Sequence, residues 1–99
     1  MTVMSISCKL KQGTSIADFL AASDKIQEDY LSKCKGYVSR QLFANGDVWT
    51  DLLIWETAED AENSMAAAEQ NASAMAFTSL VGEVVQYMIV PLVRSYPNE

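Results

Sequence analysis

Residues 37–56 read YVSRQLFANGDVWTDLLIWE, two extended segments, Tyr37–Ala44 and Asp47–Glu56, on either side of Asn45-Gly46. Asn-Gly is the preferred centre of a type I′ turn, because both central residues of that turn need a positive φ. A two-residue loop of this kind sets the register. It places Ala44 opposite Asp47, Leu42 opposite Trp49, Arg40 opposite Asp51 and Val38 opposite Leu53. One face of the hairpin then carries Val38, Arg40, Leu42, Trp49, Asp51, Leu53 and Trp55, so an arginine and an aspartate meet between two tryptophans. The other carries Tyr37, Ser39, Gln41, Phe43, Val48, Thr50, Leu52 and Ile54. Neither has the polarity of a solvent face, and the hairpin is expected to be covered on both sides.

Outward from the hairpin, Val3–Leu10 alternates as a strand, with Met4, Ile6, Cys8 and Leu10 on one face and Ser5, Ser7 and Lys9 on the other. Ser15 with Asp18 has the spacing of a helix cap. Ile16, Phe19, Leu20, Ser23, Tyr30, Leu31 and Cys34 then form one stripe, predicting an amphipathic helix over Ile16–Cys34, closed by Gly36 in a left-handed cap. Thr57 with Asp60 repeats the cap before a second helix, whose stripe is Ala58, Ala61, Met65, Ala68 and Ala72. Asn71 ends that helix or caps a further short one, which Gly82 stops. Glu83–Arg94 reads as the last strand. The order strand, helix, strand, strand, helix, strand is the ferredoxin-like βαββαβ arrangement, an α+β fold. Right-handed crossovers put the first and third strands at the centre of an antiparallel sheet. Pro91 suits an edge strand, yet Val84–Val93 is apolar on both faces. Helices cover one face of such a sheet, so the economical cover for the other is a second copy, giving a homodimeric α+β barrel.

The 99 residues suit one domain spanning 1–99, and a hydrophobic fraction of 49% suits a packed core. A net charge of −6 argues against nucleic acid or an anionic membrane as partner, since both need a basic footprint. No apolar run has the length of a membrane span, and the first residues carry neither a basic leader nor a long apolar core, so a cytoplasmic protein is expected. Cys8 and Cys34 stand alone and are expected as reduced, partly buried thiols. With no histidine and no ligand-spaced cluster of cysteines or carboxylates, neither a metal nor another cofactor is expected.

The stretches Gly36-Tyr37-Val38-Ser39-Arg40, Gly46-Asp47-Val48-Trp49-Thr50-Asp51 and Ile54-Trp55-Glu56-Thr57, with Asp60-Ala61 behind them, resemble the dimeric α+β barrel superfamily, most closely its antibiotic biosynthesis monooxygenase-like branch. In that family a Gly-aromatic step opens the second strand, a Trp-Glu or Trp-Ser step closes the third, and an alanine-rich helix follows. The resemblance implies two sheets closing face to face in a dimer, with a pocket between helices and sheet or within the barrel. Its members include cofactor-free oxygenases of aromatic polyketides and haem-degrading enzymes. The haem degraders use a histidine ligand, which this chain lacks. Many oxygenase-like members also carry a histidine in the second helix, where this chain has Met65-Ala66-Ala67-Ala68.

Arg40 and Asp51 are the candidate catalytic residues: Arg40 to bind an anionic or carbonyl oxygen, Asp51 to orient it or act as a base. The structural reading of the same two residues is a covered cross-strand ion pair, and it is the one their pairing favours. Trp49, Trp55 and Tyr87, with Ser5 and Ser7 as polar lining, are the candidate ligand-binding residues. The tryptophans offer flat stacking surfaces, though core packing accounts for them too. Tyr30, Tyr37 and Asn63 offer further polar groups. The expected function is binding of a small apolar or aromatic metabolite, with cofactor-independent oxygenation as its chemistry. The rival is a non-catalytic binding, stress-associated or accessory dimer.

Overall fold

The computed structural model describes residues 1–97; residues 98 and 99, the end of the expected domain, lie outside the described residues. The chain runs β1 (Thr2–Leu10), α1 (Ile16–Asp29), a 3-10 turn (Leu31–Lys33), β2 (Tyr37–Asn45) and β3 (Val48–Trp55). It continues through α2 (Ala58–Ala67), a second 3-10 turn (Ala68–Gln70), α3 (Ala72–Thr78) and β4 (Val81–Pro91). The strands form one antiparallel sheet in the order β2-β3-β1-β4, so β1 and β3 are central as expected. This is the ferredoxin-like α+β arrangement.

The hairpin turns one residue later than Asn-Gly predicts. Asn45 pairs with Val48, and the loop is Gly46-Asp47. Gly46 takes φ 62°, and no residue other than glycine has a positive φ among those described. A positive φ at the first central position only is the type II′ pattern, which also matches the twist of a hairpin. The pairing therefore slides: Arg40 lies opposite Leu53, and Asp51 opposite Leu42. The slide keeps each residue of this part of the hairpin on its expected face. At the far end it does not, because the register shifts between Tyr37 and Ser39. This bulge turns Tyr37 onto the face of Trp55, with ring centroids 6.0 Å apart, and leaves Val38 exposed.

The caps form as their spacing predicts. Ser15 Oγ accepts from the Asp18 N–H at 3.0 Å, Thr57 Oγ1 from the Asp60 N–H at 3.0 Å, and Asn71 Oδ1 from the Ala74 N–H at 2.9 Å. The helix lengths differ from expectation. α1 stops at Asp29, and the 3-10 turn carries the chain on to Cys34. Its buried stripe is Phe19, Ser23 and Ile26, while Ile16 is 59% exposed. In α2, Asp60, Ala61 and Ser64 turn inward. Gly82 does not stop a helix: Ser79 caps α3, and Gly82 lies inside β4.

The core is Met4, Leu53 and Trp55 from the sheet against Ile26, Leu31, Ala61 and Ala74 from the helical layer. All helices thus cover one face, that of the even positions of β1 and odd positions of β3. The opposite face presents Val3, Phe43, Val48, Leu52, Ile54, Met88 and Val90 with no helix over it.

Gly36 joins the helical layer to β2. Its φ is 81°, and a Cβ there would run into the carboxylate of the buried Asp60. Gly13 has a similar φ of 88° but open space around it. Gly36→Ala should therefore cost about 2–4 kcal/mol in urea unfolding and Gly13→Ala about 1 kcal/mol. Equal losses would mean that Asp60 moves aside freely.

Candidate functional site

Arg40 comes from β2 and Asp51 from β3, diagonal to one another across the pair. The reach of the arginine closes the diagonal. Arg40 Nε donates to Asp51 Oδ1 at 2.8 Å and Nη2 to Oδ2 at 3.0 Å, a bidentate pair. Nη2 also donates to Ser23 Oγ at 2.9 Å, and Nη1 to the Ser23 carbonyl at 3.1 Å and Gln27 Oε1 at 3.5 Å. A guanidinium has five N–H donors, and each has an acceptor here. The side chains are 6% and 14% exposed, and Phe77 lies 5.5 Å from the guanidinium carbon. The pair therefore sits under α1 and α3, on the helix-covered face.

Beside it, between sheet and helices, is a cavity of 170 Å³. Its walls are mostly apolar: Met4, Ile6, Ile26, Leu31, Leu53, Ala74 and Phe77. Exposed lining residues, Met65, Thr78 and Val84, mark its mouth. Asp51, Tyr30, Ser64 and Thr78 are its polar lining residues. The hydroxyls are occupied: Tyr30 Oη donates to the Ser64 carbonyl, Ser64 Oγ to the Ala61 carbonyl at 2.7 Å, and Thr78 Oγ1 to the Ala74 carbonyl at 2.8 Å. Trp55 also borders the cavity, but its side chain is fully buried, at 0% exposure, so its Nε1–H, which has no partner among the described residues, is out of reach of a guest.

Of the residues singled out from the sequence, Asp51 and Trp55 line this cavity. Arg40 lies behind Asp51 and holds it. Trp49 packs edge-on against Phe19, with centroids 5.1 Å apart, and lines a 50 Å³ void next to the cavity. Tyr87, on β4 opposite Ile6, is about half exposed and outside the lining. Ser5 and Ser7 are on the helix-free face, where Ser7 Oγ bonds Thr50 Oγ1 at 2.8 Å. Sequence reasoning passed over Ser64, Thr78 and Ile26; Ile26, one turn beyond Ser23, and Ser64, one turn beyond Ala61, had a visible periodic signal.

Burial, aided by a hydrogen bond with Cys34, pushes the Tyr30 phenol up to about 12. Burial raises Cys34, opposed by its bond with Tyr30. Burial raises Cys8 as well, with the Asp51 charge adding to it. Both thiols stay protonated near neutral pH and are poor nucleophiles. Among the described residues no group of three or more cysteines and carboxylates is disposed to hold a metal ion, and no helix is long and apolar enough to cross a membrane.

No protein-family model and no curated protein matches the chain. Solved structures do. SnoaB, a cofactor-independent oxygenase from Streptomyces nogalater, superposes with a TM-score of 0.77 at 11% identity, over 98% of this chain and 97% of its own. A Bordetella bronchiseptica protein assigned as an antibiotic biosynthesis monooxygenase gives 0.78 at 16% identity, over 94% and 97%. A Chloroflexus aurantiacus protein of the same assignment gives 0.70 at 13% identity, over 96% of both chains. The chain shares the fold of these proteins. At these identities the likeness is one of architecture, and the chemistry has to be argued from the cavity itself.

The pair and the phenol each make a measurable claim. Arg40→Met and Asp51→Leu should each cost about 3–5 kcal/mol by urea unfolding, because each strands a buried charge, while the double variant should recover most of the loss. Single losses within about 0.5 kcal/mol would place the pair at the surface. For Tyr30 the folded state holds the proton more tightly than the unfolded chain, whose value is about 10. That contribution is complete below pH 10 and is lost as the pH rises towards about 12. Alkaline unfolding should be less steep in Tyr30→Phe, and a Tyr30 phenol that ionises near pH 10 by absorbance would contradict the burial argument.

Proposed function

We propose that this chain is a homodimeric small-molecule protein that takes an apolar or aromatic metabolite into the helix–sheet cavity and oxygenates it without a bound cofactor. The observation that carries this is the wall of that cavity: mostly apolar, with the Asp51 carboxylate fixed in it by Arg40. The lining hydroxyls of Tyr30, Ser64 and Thr78 are spent on backbone carbonyls, so Asp51 is the polar group open to a ligand. Arg40 engages both of its oxygens once, and a carboxylate has about four lone-pair sites, so lone pairs remain to receive a proton from a ligand O–H. In this proposal Asp51 is the base and Arg40 its positioning residue, since no N–H of the guanidinium is left for a ligand. Trp49 supports the wall through Phe19. Ser5, Ser7 and Tyr87 have no part in it.

The helix-free sheet face supports the dimer. Leu52 and Ile54 on β3, Val3 on β1 and Met88 and Val90 on β4 are neighbours across the register. A contiguous apolar face of this kind marks an interaction surface. A second copy of the sheet matches it in shape and chemistry and would bury roughly 1,600 Å² or more.

One observation favours the non-catalytic alternative. The cavity, at 170 Å³, is smaller than the roughly 300–1,000 Å³ of most ligand sites. Oxygen uptake separates the two. Native mass spectrometry of protein from its own source should reveal a retained small molecule, and its reduced form should drive oxygen consumption that Asp51→Asn lowers by at least about tenfold. Retention without oxygen uptake would leave a binding protein. Leu52→Glu should convert the dimer into a folded monomer in sedimentation; a wild-type chain that stays monomeric at micromolar concentration would end the barrel proposal.

A further inference from the structure

We infer that the small void beside the helix–sheet cavity is the dioxygen site of the proposed oxygenation, an apolar niche that holds the gas against Asp51 and Phe77. This rests on the proposed use of the larger cavity. Size, wall chemistry and position each point to it.

A cavity of about 150 Å³ lined by leucine, isoleucine and phenylalanine admits benzene, a guest of six heavy atoms. On that scale the 50 Å³ of the void suits a guest of about two heavy atoms. The 170 Å³ cavity is filled by one ring with a small substituent. Once a ligand is seated there, dioxygen needs a place of its own.

The wall of the void is mostly apolar. Phe19 from α1, Leu42 from β2, Trp49 from β3 and Phe77 from α3 supply most of it. Phe19 lies edge-on to Trp49 and stacked on Phe77, with centroids 5.1 Å apart in both cases, so the rings brace one another and the niche stays open. A water molecule there would need two to four polar partners. Asp51 is the one charged residue in the wall, and the Cys8 thiol is a weak partner. An apolar guest loses nothing by this. Burial, with the Asp51 charge adding to it, keeps the Cys8 thiol protonated. Oxidation follows thiolate character, so the wall tolerates its guest.

Ile6, Asp51, Phe77 and Val81 line both spaces. Dioxygen in the void therefore lies against the carboxylate that takes the proton of the ligand, at the boundary of the ligand cavity. Leu42 and Trp49 are half-buried and line the void but not the cavity. They form its outer side and give a diatomic gas an entry that does not cross the ligand cavity.

Dioxygen is paramagnetic and speeds the relaxation of protons it touches, so the gas itself is the probe. In the wild-type chain under dioxygen, compared with nitrogen, the ring protons of Phe19 should relax faster than the side-chain protons of Met65 and Val84. Exposure alone predicts the reverse order, since Phe19 is 1% exposed and the other two 45% and 56%. Leu42→Phe fills the void from β2 and should abolish the enhancement at Phe19; Cys8→Leu does the same from β1 where the first variant folds poorly. In oxygen uptake driven by the reduced retained molecule, either variant should raise the KM for dioxygen by at least about fivefold and leave the KM for that molecule within about twofold. A Phe19 ring that dioxygen does not relax, or one that shows cross-relaxation with a bound water instead, would overturn the site and leave the functional proposal standing. An unchanged dioxygen KM in a variant that has lost the enhancement would overturn it as well, because dioxygen then reaches the ligand by another way. A wild-type chain that retains its molecule and takes up no oxygen would end the oxygenase proposal, and this inference with it.

Discussion

A guanidinium can lie inside a protein only where acceptors meet its N–H groups, and the packing of α1 onto the hairpin meets this condition at Arg40. Asp51 supplies two acceptors from the neighbouring strand, and the Ser23 hydroxyl, the Ser23 carbonyl and Gln27 supply the rest from the helix. The hairpin register, the rotation of α1 and its height above the sheet are therefore coupled. Sliding β2 against β3 by two residues would move Asp51 away from the fork. Rotating α1 by one residue would replace Ser23 with Ala22 or Asp24. Such pairs contribute less to net stability than to the choice among alternative packings.

That constraint also explains the void beside it. Held by Ser23 and Gln27 at one level and by Ile26 in the core, α1 cannot settle lower onto Leu53 and Met4. On the far side α2 ends at Ala67, and a 3-10 turn re-aims the chain before α3. Among the residues that α2, this turn and α3 turn towards the sheet, Ala61, Ser64, Ala68 and Ala74 have side chains too short to fill the space above Trp55. A cavity bounded by small residues on a rigid frame stays open because neither side can collapse.

Much of this was legible in the sequence because periodicity reports faces. Alternation puts Asp51, Leu53 and Trp55 on one side of β3 and Met4 with Ile6 on one side of β1, and the caps at Ser15, Thr57 and Asn71 mark where helices begin. The turn was misplaced because Gly46 is compatible with two loops: second in Asn-Gly or first in Gly-Asp. The observed choice aligns Arg40 with Leu53, a preference that no local signal in the turn reveals. The bulge at Val38 was equally hidden, since the gain from putting Tyr37 against Trp55 comes from packing two residues from different strands. In the helices, Ile16 and Leu20 drew the stripe towards the N-terminus, although Ile26 is the buried member. Of the candidate site, Asp51 and Trp55 were visible as same-face residues four apart. Ser5 and Ser7 stand out by chemistry, which does not tell which face holds the cavity; Tyr87 is on the cavity's face but outside its lining. Tyr30 and Ser64 meet through a backbone carbonyl, and such a contact leaves no side-chain pattern to read.

The two faces of the sheet pose different problems with different physical solutions. On the helix-free face the cost is exposed apolar area, which any complementary apolar surface relieves and which scales with the area covered. On the helix-covered face it is a buried charge pair, which only directed hydrogen bonds compensate. The first problem selects a partner by shape and the second fixes a helix by direction. A chain of this size can carry both because β3 presents Leu52 and Ile54 to one side and Asp51, Leu53 and Trp55 to the other. The strand that defines the proposed dimer interface is therefore also the strand that defines the cavity. A change in how the sheets pack is expected to reach Trp55 through one backbone segment, with no helix needed to relay it.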